Sequence, residues 1–234
     1  METEVDLFKW KQYESEIILL TIRWYLTYSL SYRNLVEMME ERGLHMAHTT
    51  IMRWVHQFGP ELDKRIRPYL KSANDSFRTD ETYVKVKGQW KYLYRAVDSS
   101  GNTIDFMLSE NRDIHAAKRF FKKELTSPHN QSPRVITVDK NPAYPTAVQQ
   151  LKDEKAMNQE TLLRQQKYLN NSIEQDHRFI KKVIKPMLGF KSFSTATIAG
   201  IEVMHMIKKG QIEYYHSSVL STVKFINKLF GLTA

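Results

Sequence analysis

At Phe77 the spacing of apolar residues changes from a helical period to a strand period, so no one type of layer can accommodate the whole chain. Before that point, Ile17, Ile18, Leu20, Ile22, Trp24, Tyr25 and Leu26 recur densely enough to predict a buried helix between Glu14 and Tyr28. Ser31 is placed to cap a second helix, with Leu35, Val36, Met38 and Met39 as its apolar stripe and Gly43 as its stop. A third helix is predicted to begin near His48 or Thr49, run through Ile51, Trp54, Val55 and Phe58, and end at Gly59-Pro60. Two helices joined by a short Gly-containing turn, behind a supporting helix, form a helix-turn-helix pattern. Thr49, Thr50, Arg53 and His56 then lie on the outer side of its last helix, available to bases or phosphates. A plain three-helix bundle has the same pattern.

After Phe77 the alternation predicts strands at 77–87, 90–98 and 103–108, separated by turns at Gly88-Gln89 and Ser99-Ser-Gly-Asn102, as an antiparallel meander. Asp113 is a candidate cap for a helix reaching Leu125, the apolar run Val135–Val138 ends at Asp139, and Pro142 can open another helix. Residues 157–168 carry no decisive pattern. Beyond a helix around Glu174 and a break at Gly189–Ser194, helical spacing returns through Ile198, Ile201, Met204 and Ile207, then Val219, Val223, Ile226 and Phe230. The expected organisation is a small all-α helix-turn-helix domain over residues 1–62, a linker over 63–76 and a layered α/β domain over 77–234.

Composition narrows the functional classes. The chain has no Cys, which removes disulfides, thiolate metal sites and a cysteine nucleophile. An acidic start from Glu2 to Asp6 opposes a signal peptide, and the longest apolar segment, Ile17–Leu30, is interrupted by Arg23. The expectation is a cytoplasmic protein without a membrane span. The net charge of +9 is concentrated beyond residue 160, where 11 Lys and Arg face 4 Asp and Glu, and DNA is the natural partner of such a region.

Three acids stand where metal-assisted phosphoryl transfer would need them. Asp80 lies on the first strand, Asp139 follows the short apolar strand, and Glu174 begins a helical face continued by His177, Arg178 and Lys181. Carboxylates are hard oxygen ligands suited to Mg²⁺ or Mn²⁺. Read singly, each acid also fits a structural role: Asp80 beside Glu81 as a solvated pair, Asp139 as a helix cap, Glu174 as the partner of Arg178. Asp176 faces away from Glu174 on a helix. Asn170 and Asn171 are candidate caps for that helix, and Tyr168 is a residue for core packing or DNA stacking.

The segments Arg78-Thr-Asp80-Glu-Thr-Tyr-Val-Lys-Val-Lys-Gly88-Gln-Trp90, Ile136-Thr-Val-Asp139-Lys-Asn-Pro-Ala-Tyr-Pro145 and Tyr168-Leu-Asn-Asn-Ser-Ile-Glu174-Gln-Asp-His-Arg178 resemble, in order, the three catalytic blocks of DDE transposases. The likeness is to the insertion-sequence-six family, includes the 34 residues between Asp139 and Glu174, and covers nearly the whole chain. It implies a ribonuclease-H-like catalytic domain in which Asp80, Asp139 and Glu174 hold two divalent metal ions, Mg²⁺ or Mn²⁺. It also implies that Lys181, seven residues after the last acid, contacts the DNA end. On the same helical face Arg178 and His177 are further candidates for DNA contact, and a packed or solvent-facing role fits His177 equally. The expected activity is cutting at terminal inverted repeats and strand transfer to target DNA through replicative cointegrate formation, by a homodimer or higher oligomer. Two other readings use the same residues: a catalytically silent helix-turn-helix regulator, and a nuclease of this fold that only hydrolyses.

Overall fold

Each apolar stripe of the first segment becomes a helix in the computed structural model, which describes residues 7–127, 129–166, 171–187, 190, 196–213 and 218–232. They are α1 (Ser15–Thr27), α2 (Tyr32–Glu40) and α3 (His48–Ile66). Ser31 caps α2 as expected: its hydroxyl accepts from the Asn34 amide at 3.1 Å, and the Asn34 side chain accepts from the Ser31 amide at 2.9 Å. The expected end of α3 at Gly59-Pro60 needs correction, because the helix continues to Ile66, past the expected domain boundary at residue 62. Proline removes one helical hydrogen bond, but packing against a later helix, α7 (Ala196–Lys208), outweighs that loss. The contact is so close that a Cβ on Gly59 would lie 2.3 Å from the Ala196 carbonyl oxygen.

From Ser76 the chain builds one five-stranded sheet: β1 (Ser76–Val86), β2 (Gln89–Asp98), β3 (Thr103–Ser109), β4 (Val135–Val138) and β5 (Leu162–Gln165). The strand order is β3-β2-β1-β4-β5; the first three are antiparallel, and β4 and β5 run parallel to β1. This mixed sheet with helices on both faces is the ribonuclease-H-like arrangement. The β1–β2 turn is centred on Lys87-Gly88, one residue earlier than expected, with φ of 50° and 80°. Two consecutive positive φ angles are what a tight hairpin requires. β5 falls in the stretch without a sequence pattern because it is a mostly exposed edge strand with no buried face to impose alternation.

Two cores flank the sheet. On one side α4 (Ile114–Thr126) and α5 (Ala143–Asp153) pack Phe120, Phe121, Tyr144 and Leu151 against Phe77, Tyr94, Ala96 and Ile136. On the other, α1–α3 share a continuous core with α6 (Asn171–Ile184), α7, α8 (Val219–Leu229) and the sheet residues Val84, Val86, Leu93 and Phe106. Asp113 caps α4 by accepting from the Ala116 amide at 2.8 Å. Along β1 the buried parity changes from Phe77 and Thr79 to Thr82, Val84 and Val86, so the strand's buried side passes from one core to the other. Asp80 and Glu81 occupy the crossover between the two patterns.

Candidate active site

The sheet register brings the first two acids together. The last paired residues of β1 and β4 are Arg78 and Thr137, and two steps further along both parallel strands stand Asp80 and Asp139. Adjacent strands lie about 4.8 Å apart, so residues at equal height are within reach of one ion. One carboxylate oxygen from each of Asp80, Glu81 and Asp139 lies within 4.8 Å of the others.

Glu81 was expected to belong at most to a solvated pair with Asp80, but its side chain is only 2 % exposed. It accepts from the Tyr144 hydroxyl on α5 and pairs with Arg112, which stands in the loop before α4. The same guanidinium donates to Asp139 at 3.1 Å. The other Asp139 oxygen accepts from the Asn141 amide at 2.8 Å. Neither Arg112 nor Tyr144 carries a local sequence signal for this role, since both reach Glu81 across tens of residues.

Glu174 lies in the first turn of α6 on its exposed side. It stands outside the tight carboxylate group, yet its charge is felt by Asp80. Burial, then the neighbouring Glu81 charge, with Asp139 and Glu174 adding, push the Asp80 carboxyl up to about 7. Arg178 and Lys181 are also exposed on α6. His177, a candidate for a DNA contact, for tuning the site or for packing, is 4 % exposed, with Nδ1 3.9 Å from Asp80 Oδ2. Burial and the Arg95 charge lower it to about 3, so at neutral pH it is an uncharged neighbour of the acid. Thr49 and Arg53 are exposed on α3, and Thr50 is half-buried. Tyr168 and Asn170, and the side chain of Asn171, lie outside the described residues.

The reverse side of α6 is anchored by charge. Asp176, on the face away from Glu174, pairs with Arg95 of β2 at 2.6 Å and with His205 and Lys209 near the end of α7. Arg95 also forms a bidentate pair with Glu202, at 2.6 and 2.8 Å, and both side chains are fully buried. Burial alone would raise Asp176, but His205, Arg95 and Lys209 outweigh it and hold this carboxylate well below its usual range.

The donors fit a hard divalent cation. All are carboxylate oxygens, and a cation would offset both the burial and the neighbouring negative charges that raise Asp80.

A family profile described as a DDE domain matches residues 74–211, the span from just before β1 to the end of α7. The transposase for the insertion-sequence-like element IS431mec of Staphylococcus aureus (strain N315) is 40 % identical over 208 residues, covering 88 % of this chain and 90 % of the relative. The transposase for insertion sequence IS257 in transposon Tn4003, also from Staphylococcus aureus, is 39 % identical over the same shares. Among solved structures, the HTLV-2 integrase catalytic core domain in complex with magnesium (dimeric form) aligns with a TM-score of 0.44 and 15 % identity, over 60 % of this chain and 97 % of that one. On the family profile and the likeness to the two transposases, the chain belongs to the DDE transposases, in the insertion-sequence-six family.

Proposed function

We propose that this transposase cuts DNA at the terminal inverted repeats of its element and joins the freed ends to target DNA through a replicative cointegrate, with Asp80, Asp139 and Glu174 as its metal-holding acids. The observation that carries the reading is that Asp80 and Asp139 stand at equal height, two residues past the last β1–β4 pair, while Glu174 on α6 is near enough for its charge to act on Asp80. Two Mg²⁺ or Mn²⁺ ions held there would supply charge stabilisation for the attacking and leaving oxygens of a phosphodiester.

The chain's own residues set the geometry for that chemistry. Arg112 holds Glu81 against Asp139, so Glu81 supports the site from the α5 side while Asp80 and Asp139 present oxygens to the substrate. Arg178 and Lys181 extend along α6 from Glu174 as cations for the backbone of the DNA end. In the cut, water forms a bond to phosphorus as the bond to the 3′ oxygen breaks, leaving a 3′-hydroxyl. That hydroxyl then forms a bond to the phosphorus of a target phosphodiester, giving up its proton, as the target's own bond from that phosphorus to its 3′ oxygen breaks and the displaced strand leaves with a 3′-hydroxyl. His177 is neutral and buried, and its place is to pack beside Asp80. The N-terminal helices, with Thr49, Thr50 and Arg53 on α3, read the repeat as a helix-turn-helix. Pairing two ends calls for a homodimer or higher oligomer, acting in the cytoplasm where bacterial DNA lies. No helix among the described residues is long and apolar enough to cross a membrane.

Incubation of the full chain with an end-labelled terminal repeat and Mg²⁺ tests the reading. Nicked and joined strands are expected from the wild type and neither from Asp139→Asn. Equal nicking by both proteins would remove the acids from the chemistry, and cutting without any joined product would make the chain a nuclease.

A further inference from the structure

The β1–β2 hairpin carries an exposed aromatic face that the reaction above does not use. Tyr83 and Trp90 are 51 % and 64 % exposed, although large aromatic side chains normally seek cover. They are not scattered. Tyr83 is paired across the strands with Tyr92, and the next pair towards the turn on the same face is Lys85 with Trp90. The two tyrosine rings are 5.1 Å apart, and the Lys85 ammonium lies 5.8 Å from the Trp90 ring centre. Diagonal neighbours on one strand face are close enough for large rings to touch, so Tyr83, Lys85, Trp90 and Tyr92 form one surface.

This face is open for an architectural reason. Glu81, Tyr83 and Lys85 share a side of β1, and the buried parity of the strand switches at Glu81. Up to that point α4 and α5 cover the side; beyond it the sheet is covered only on the opposite side, through Val84 and Val86. Near the turn, the β1 edge meets Phe190, which exchanges backbone hydrogen bonds with Lys85 and Lys87, each at 2.7 Å. What the face itself exposes is ring and ammonium surface.

Position and charge identify the occupant. Tyr83 is the next residue after Glu81 on the same strand face, so the surface starts one side chain from the acidic cluster. Cations border it: Lys85 within it, Lys87 at the turn, and Arg119, which reaches Ser109, the cross-strand neighbour of Tyr92, at 3.4 Å. Rings flanked by cations suit a nucleic acid strand whose bases are free to stack, whereas paired bases keep their faces inside the duplex. We propose that this hairpin face is a stacking platform for unpaired nucleotides of the DNA strand next to the phosphodiester at the acids. The proposal rests on the DNA-processing reading given above and adds the form of DNA that the hairpin takes.

Fluorescence anisotropy of the full chain in EDTA, with a short fluorescein-labelled single strand and with the duplex of the same sequence, tests it. Tyr83→Ala and Trp90→Ala are each expected to weaken single-strand binding by about tenfold while leaving duplex binding and the thermal transition unchanged. Trp90→Phe, which keeps a ring, is expected to retain most of the affinity. Single-strand binding unchanged in both alanine variants would overturn the platform, as would an equal loss on single strand and duplex. Conversion of an oligomer to monomer by Trp90→Ala in sedimentation would instead make this face a contact between copies, and would also overturn it. Nicking of the labelled repeat, measured in parallel, separates the two claims. Variants that bind single strands normally, made in a protein that nicks in an Asp139-dependent way, sink the platform alone. A wild type that stacks single strands but never nicks sinks the catalytic reading alone.

Discussion

Arg95 on β2 and Asp176 on α6 are joined by an ion pair of 2.6 Å, and that pair ties the helix carrying Glu174 to the sheet carrying Asp80. Arg95 is fully buried and holds the equally buried Glu202 of α7 through its Nε and through the same Nη2 that meets Asp176. A buried charge without its partner is far worse than a buried pair, because the low-dielectric interior offers it no water. Arg95→Met should therefore destabilise the protein by about 3–5 kcal/mol, and pairing it with Glu202→Leu should recover part of the loss. Thermal or urea denaturation measures both; a single variant as stable as wild type would show that the network does not hold α6.

In the proposed mechanism the adjacent acids Glu81 and Asp80 have different tasks, and substitution should separate them. Glu81→Gln keeps an acceptor for Tyr144 and Arg112, so metal-dependent nicking should fall by about 10–100-fold, as for other groups that orient a ligand. Asp80→Asn removes a charged oxygen from the site itself and should abolish detectable nicking. Equal loss in the two variants, at matched protein concentration and Mg²⁺, would place Glu81 among the direct ligands.

Glu124 on α4 links folding to pH. It is fully buried, one carboxylate oxygen accepts from the Thr79 hydroxyl at 2.9 Å, and the other has no hydrogen-bond partner among the described residues. Burial raises this carboxyl to about 8. The folded state thus keeps a proton that the unfolded chain releases near 4.5. Its contribution is fully present below that unfolded value and is lost as pH rises towards 8, with a slope of up to about 1.4 kcal/mol per pH unit. Glu124→Gln, permanently neutral, should flatten the decline in melting temperature between these two values and melt higher than wild type at the alkaline end. A wild type whose melting temperature rises across this window relative to the variant would contradict the assignment.

The elements most legible in the sequence were those whose signal is local. Ser31 and Asp113 cap the helices they were expected to cap, and the Val135–Val138 run is a strand that delivers Asp139 to its carboxyl end. The antiparallel meander follows from β-branched and aromatic residues between turn residues. What escaped the sequence depends on long-range partners. The extension of α3 through Pro60 is decided by α7, more than a hundred residues away, and β5 is an exposed edge strand with no alternation to read. In the site, Asp80 and Asp139 stood out by their places on strands. Arg112 and Tyr144 did not, because their spacing from Glu81 has no period.

The crossing of α3 and α7 supplies a last prediction, in which two glycines of the same contact region behave differently. Substituting Ala for Gly in a helix normally favours the helix by about 1 kcal/mol. At Gly200 the new Cβ would meet Leu26 Cδ1 at 2.5 Å, the far end of a side chain that can turn aside. At Gly59 it would meet the Ala196 carbonyl oxygen at 2.3 Å, which belongs to the backbone of α7 and can yield only if the helices part. Gly59→Ala should therefore cost at least about 1–3 kcal/mol, the usual penalty for overpacking, and Gly200→Ala distinctly less. Because the contact joins the N-terminal helices to the core beneath the catalytic sheet, Gly59→Ala should also lower nicking in proportion to the unfolded fraction, with normal activity in the molecules that remain folded. Urea denaturation of both variants decides it, and a Gly59→Ala protein more stable than Gly200→Ala would mean that the two helices are not held at this distance.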